Sequence, residues 1–190
     1  LVSADDPGMA SSQNEQDNRR YAEAAGVPML EPSDSQEAYD FVFTALEISE
    51  RWGIPVLYRL TTRVCHSKTV VTPRTERVAP RIGSFTRDLK SRVMIPGYAR
   101  PAHRRLREKL RAMAEWNDTD GPNIRIDGDS TLGIITSGVS FQHVREAAPD
   151  ASVLKIGMTY PLPMTTIREF AQSVDRCVVI EELDPWMATL

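Results

Sequence analysis

Only two cysteines occur in the 190 residues, Cys65 and Cys177, far apart and in no C-x-x-C pattern. That excludes a disulfide framework and argues against a zinc site or a complete iron–sulfur site. No apolar run approaches the roughly 20 residues that cross a bilayer. The N-terminal stretch shows neither the basic nor the apolar region of a secretory signal. The expectation is a reduced, cytoplasmic setting with no membrane partner. Signatures of a helix-turn-helix, an RRM, a zinc finger and the G-x-G-x-x-G dinucleotide loop are also lacking.

What is present suits a soluble fold with a real core, since 41% of the residues are apolar. The length fits one large domain or two small ones. A net charge of −3 hides an asymmetry. Residues 63 to 111 hold fourteen Lys/Arg against three acids, leaving nine basic and twenty-three acidic residues elsewhere. Segregation of this kind can mark a nucleic-acid surface. The stretch has few aromatics to stack on bases, however. A basic connector lying on acidic neighbours is the preferred reading.

Hydrophobic periodicity indicates α/β organisation. Residues 27–30 read as a strand and "EPSDSQ" as a helix entry, with Ser33 and Gln36 spaced for a capping box. Ala38, Phe41, Val42, Ala45, Ile48 and Trp52 fall on one helical face, and Gly53 ends the helix. Residues 56–60 form a second strand, parallel to the first if the crossover is right-handed. Such a unit needs a larger sheet, cover on both faces, and so earlier strands. Both chain ends read as cuts, and self-association is expected where strands are missing.

Residues 64 to 100 show no period and carry Pro73, Pro80 and Pro96, as a connector would. Pro101 is placed at the start of a basic helix with Leu106, Leu110 and Met113 as its apolar stripe, ending near Trp116. "NDTDGPN" marks a boundary. From Leu132 the pattern is βαβαβ: "LGIIT", "GVSFQHVREAA", "SVLKI", "MTTIREFAQSV" and "CVVIEE".

Four stretches carry polar chemistry. "SSQNEQD" supplies Ser11, Ser12, Gln13, Asn14, Glu15 and Asp17, a dense set of hydrogen-bonding groups suited either to a cleft or simply to holding a turn. "TTRVCHS" follows a strand, where open α/β sheets bind ligands. There Arg63 could pair a carboxylate and His66 relay a proton, or both could be surface residues. An extended chain would point Cys65 and His66 to opposite sides, which disfavours a nucleophile pair. "TSGVS" offers a helix start but only one glycine, so a tight turn at Gly138 is preferred. In "VVIEELDP", Asp184 is read as a helix cap, with Glu181 and Glu182 at the strand mouth.

The string "ADDPGMASSQNEQDNRRYA", with "VPMLEPSDSQEAYDF", "GIPVLYRLTTRVCHSKTVV", "GIITSGVSFQHVREAAPDASVLKIGMTYPLP" and "FAQSVDRCVVIEELDPW", resembles the α subunit of indolepyruvate:ferredoxin oxidoreductases. These belong to the thiamine-diphosphate 2-oxoacid oxidoreductase superfamily. The resemblance is weak only from about residue 72 to 125. It departs at Ala10, where the family often has His. It implies that residues 1–72 are the C-terminal part of a pyrimidine-binding domain, 73–125 a connector, and 126–190 a transketolase C-terminal-like open parallel sheet. It implies thiamine diphosphate, Mg²⁺ and [4Fe-4S] clusters in the full enzyme, with their motifs outside this chain. The "DGD" at 127–129 is not the diphosphate motif. It further implies a smaller partner subunit, ferredoxin, coenzyme A and an arylpyruvate substrate in an oligomer. No catalytic or metal-ligating residue is expected here. Ser11, Ser12, Gln13, Asn14, Glu15 and Asp17 would lie at the cofactor cleft or the dimer contact beside it, and Arg63 and His66 near substrate. An assembly module without chemistry is the alternative, with nucleic-acid binding through 63–111 behind it.

Overall fold

The computed structural model of the chain describes residues 1–75 and 83–190. Pro80, one of the prolines marking the connector, lies outside the described residues.

Two four-stranded sheets carry the fold. In the first, strand β1 (Val2–Asp5) lies parallel to β3 (Leu57–Thr61), and β3 parallel to β2 (Met29–Leu30). The parallel β2–β3 pair is the one expected. Strand β1 was not, because "VSAD" is short and half polar. The outer strand beyond β2 comes from late in the chain: β7 (Met158–Tyr160) adds antiparallel. The second sheet orders β4 (Ile124–Ile126), β6 (Ala151–Ile156), β5 (Asp129–Ser137) and β8 (Cys177–Ile180). Its β6, β5 and β8 are parallel, as the βαβαβ pattern requires, while β4 closes one edge antiparallel. Helices α6 (Ser140–Ala147) and α7 (Met164–Gln172) make the crossovers.

Helix α2 (Ser35–Trp52) starts one residue later than the Ser33–Gln36 spacing predicts. Its cap is Asp34, which accepts the Glu37 N–H at 2.9 Å, while Glu37 takes the N–H and hydroxyl of Ser33. An aspartate accepts in this geometry as well as a serine does. Phe41 and Ile48 are buried and Ala45 and Trp52 pack beside them, but Val42 is exposed. Gly53 ends the helix in the left-handed region (φ 56°), as expected.

Helix α5 (Pro96–Thr119) begins at Pro96, not Pro101, and runs past Trp116. Pro96 occupies the tolerated first turn, whereas Pro101 lies one turn in and costs a single backbone bond at an exposed helix end. The segment read as a boundary is pinned by hydrogen bonds. Buried Asn117 donates to the carbonyls of Met158 and Pro161, both at 2.9 Å, and accepts from Asn123. Gly157 is obligatory there, since a Cβ would lie 2.0 Å from the Pro122 carbonyl oxygen.

One apolar cluster joins the two sheets. Ala22, Met29 and Leu57 from the first side meet Ile135, Leu154, Ile156, Leu162, Phe170, Trp186 and Met187 from the second. Further clusters lie under α2 and α5 and under α6.

Candidate functional site

The carboxyl ends of β1 and β3 open into a polar loop fastened from beneath by buried charges. Asp5, the last residue of β1, accepts from the Nε of Arg59 on β3, from the Asn18 backbone N–H at 2.8 Å, and from the Asn18 side chain. Asp6 accepts the N–H groups of Ser11 and Ser12 and the Thr62 hydroxyl at 2.7 Å. The Thr62 hydroxyl, with Ser12 and Ser11 and against the opposing effect of burial, holds the Asp6 carboxyl well below the usual carboxylate range.

Arg59 is almost fully enclosed in an apolar strand, where a guanidinium must be paired. Its Nη1 donates to Glu31 at 2.9 Å, and Glu31 also accepts the Thr159 hydroxyl at 2.8 Å. Burial opposes the charge on Arg59, but Glu31 and Asp5 outweigh it and raise its pKa. Its Nη2 has no hydrogen-bond partner and lies 3.8 Å from Asp17. Arg19, equally buried, grips Asp17 in bidentate fashion (2.8 and 2.7 Å) and donates to Glu181 at 2.8 Å and to the Asp184 carbonyl. A separate pair, fully buried Lys155 with partly buried Glu37, ties β6 to the start of α2. Burial lowers the Lys155 pKa, and Glu37 restores it only in part.

The expected site residues separate into held and free. Ser11 and Ser12 are pinned through their backbones, with exposed side chains. Glu15 accepts the Gly8 N–H at 3.2 Å. Asp17 is committed to Arg19. Gln13 and Asn14 are exposed, and among the described residues their side chains bond to nothing. Arg63 spans the mouth, donating to Glu182 at 2.9 Å and to the Pro7 carbonyl at 3.3 Å while remaining 45% exposed. It lies in α3 (Thr62–His66), a helical turn where extended chain was expected. The Thr62 hydroxyl, bonded to the Asp5 carbonyl and the Asp6 carboxylate, and buried Val64 draw the chain into that turn. Cys65 and His66 are consecutive exposed residues of the turn, so they are not on opposite sides.

The cap read at Asp184 belongs to Glu181, which accepts the N–H groups of Trp186 and Met187 at 2.9 and 3.0 Å. The tight turn at Gly138 is present, with φ 53°. A Cβ there would lie 3.5 Å from a Glu31 oxygen, so an internal carboxylate already faces this helix start.

The buried network of Asp5, Asp6, Arg19, Glu31, Arg59 and Glu181 was missed in the sequence. Its one legible signal was an arginine inside the apolar run "VLYRL", which only buried carboxylates could accommodate. Among the described residues no group of His, Cys, Asp or Glu could hold a metal ion, and both cysteines are free and exposed. No described helix is long and apolar enough to cross a membrane.

No family model matches the chain. It is 43% identical to the indolepyruvate oxidoreductase subunit IorA of Methanothermobacter thermautotrophicus and 37% identical to that of Archaeoglobus fulgidus, over 98% of its length in each case. The Pyrococcus abyssi subunit is 38% identical over 97%. The chain spans about a third of the length of these curated relatives (31%, 31% and 30%). Among solved structures, the 2-oxoglutarate:ferredoxin oxidoreductase of Magnetococcus marinus, with 2-oxoglutarate, coenzyme A and succinyl-CoA bound, superposes with a TM-score of 0.66 at 15% identity. The match covers 97% of this chain and 41% of that one. A split-gene transketolase, an inactive β4 tetramer, gives 0.50 at 15% identity over 95% of this chain and 47% of its own. These two likenesses concern the fold alone. In sequence, the chain is similar along nearly its whole length to one stretch of indolepyruvate oxidoreductase IorA subunits.

Proposed function

We propose that this chain is part of an enzyme that oxidatively decarboxylates arylpyruvates, indolepyruvate first among them, to aryl-acetyl-CoA while reducing ferredoxin. The observation that carries the reading is the 43% identity running through 98% of the chain, polar loop included. In this reading residues 1–72 complete a pyrimidine-binding domain, 73–125 connect, and 126–190 form the transketolase C-terminal-like domain. The mouth above Asp6 then faces the cofactor cleft.

The residues at that mouth suit hydrogen bonding to a neutral heterocycle more than they suit the rest of the cofactor set. Glu15 adds a carboxylate and Arg63 is already paired with Glu182, which disfavours a diphosphate, and no metal-binding group is available among the described residues. Two exposed cysteines cannot supply the four thiolates of a [4Fe-4S] cluster. Thiamine diphosphate would therefore meet chiefly the exposed side chains of Ser11, Gln13 and Asn14. Its diphosphate, Mg²⁺ and the clusters would be held by parts of the enzyme that this chain does not match. Arg63 is the group for a substrate carboxylate, exchanging Glu182 for it as the substrate enters. Partners on this reading are a smaller subunit, ferredoxin and coenzyme A, in the cytoplasm.

The test uses the complete subunit, co-expressed anaerobically with its smaller partner. Viologen reduction is followed with indolepyruvate, phenylpyruvate, pyruvate and 2-oxoglutarate, each with coenzyme A. Turnover of the arylpyruvates supports the reading, and turnover of pyruvate or 2-oxoglutarate alone moves the substrate. Arg63→Ala is expected to raise the arylpyruvate KM by about 10- to 100-fold, the equivalent of ~1.5–3 kcal/mol for a charge-assisted contact. If Gln13→Ala with Asn14→Ala leaves every constant unchanged, the loop serves assembly and not the cleft.

A further inference from the structure

The apolar stripe of α5 is covered unevenly. Met113 is fully enclosed, but Leu106 and Leu110 are only half-buried, where they meet the end of helix α1 (Arg19–Ala25). Gly26, in the left-handed region (φ 63°), rests on both: a Cβ there would lie 3.2 Å from Leu106 and 3.6 Å from Leu110. Beside this seam lies a groove of about 580 Å³. Leu106, Leu110 and Ala114 line it from α5, Ala24 and Ala25 from α1, and Pro161 from beyond β7.

The charged lining is Glu23 against His103, Arg107 and Arg111. These last three follow one another at successive turns of α5. All are exposed, and none forms an ion pair among the described residues. Tyr160 lines the same groove, and burial and Glu23 raise its pKa against the effect of Arg107. Its hydroxyl is therefore a hydrogen-bond donor at neutral pH. Aliphatic lining beside unpaired arginines calls for an occupant that is acidic and carries an apolar ridge.

The openness of the groove selects the kind of occupant. Glu23, Ala24, Ala25 and both arginines are exposed, so a small organic acid would be covered on one side only, whereas a small-molecule site encloses most of its ligand. A nucleic-acid duplex brings phosphates but no ridge for Leu106 and Leu110. A helix brings both. The α5 lining extends from His103 to Ala114, roughly 16 Å at about 1.5 Å per residue, which matches the apolar face of a short docked helix.

We propose that this groove takes an acidic amphipathic helix of a partner protein, its apolar face on Leu106, Leu110 and Ala25 and its carboxylates on Arg107 and Arg111. The enzymatic reading is not needed for it.

Fluorescence anisotropy with the intact chain tests it. The probe is a labelled helical peptide of about 15 residues, with Leu along one face and Glu on the other. The expected result is saturable binding that salt weakens, with shifts in the backbone amide resonances of Gly26 and Ala114 and none at Ser11 and Ser12. Replacing the peptide's leucines by serine should weaken binding about tenfold or more, and so should Arg107→Glu with Arg111→Glu in the chain. That charge-reversed chain should bind the same peptide carrying Lys in place of Glu. The peptide changes leave the chain untouched, so the test stands even if the double variant misfolds. Binding indifferent to the leucines, or without shifts at Gly26 and Ala114, overturns the proposal. So does no binding at low salt, whether the groove stays empty or a second copy of the chain fills it. Duplex DNA that displaces the peptide and binds more tightly through the same arginines also overturns it, and makes this ridge a nucleic-acid surface.

Discussion

Arg59 is the residue on which the loop platform depends. It bridges Asp5 and Glu31 from inside a strand, so removing it strands two carboxylates away from water. Arg59→Ala is expected to cost about 3–5 kcal/mol in urea unfolding, and adding Glu31→Gln to recover part of it, as for any broken buried pair. Asp6 gives a pH signature. Its folded pKa lies below the unfolded one, so its contribution is complete above the ordinary aspartate value near 3.9. That contribution is lost as pH falls from there through the folded value. Hydrogen exchange at the Ser11 and Ser12 amides should therefore accelerate on acidification below about pH 4, beyond the intrinsic change. In Asp6→Asn these amides should be unprotected at every pH. Equal protection in the two proteins would show that Asp6 does not pin the loop.

Elements were legible wherever period and punctuation agreed. The α2 helix, its glycine stop and the βαβαβ run are of that kind. The start of α2 was displaced by one residue because Ser33 and Asp34 are both competent caps, and only the direction of the incoming chain selects Asp34. The two readings predict different costs. Asp34→Ala should lose about 1 kcal/mol of stability, while half-buried Gln36→Ala leaves the cap intact, gives up only solvent-accessible bonds to Asp40 and Thr72, and should stay within about 0.5 kcal/mol. Thermal or urea melts of the two variants separate them. The α3 turn was misread for a related reason. Nothing in "TTRVCH" has a helical period long enough to register, and the turn is set by Thr62 bonding back to residues 57 and 56 positions earlier.

At the scale of the whole molecule the two sheets share one core, and Phe170 lies fully enclosed within it. Phe170→Ala should cost about 3–5 kcal/mol. The loss should appear in one cooperative transition, reported alike by Trp52 beside the first sheet and Trp186 at the other end of the chain. Two resolved transitions, with the Trp52 signal unmoved, would mean that the sheets fold separately. The strand that binds the units, β7, was invisible in the sequence. "GMTYP" is three residues of strand with a neighbour on a different sheet, and no local pattern names that neighbour.

Composition and periodicity alone determined the α/β class, the parallel strand pairs, the basic segment and the positions of the polar loop, because these depend on spacing within one stretch of chain. The tertiary structure alone decided which charges are buried together. Asp5, Arg59 and Thr159 come from three strands and Glu31 from just past a fourth, separated by up to 154 positions, and Arg19 and Glu181 meet across 162. A charge is tolerable out of water only beside its partner. That pairing is a property of where strands lie, which no local sequence pattern encodes.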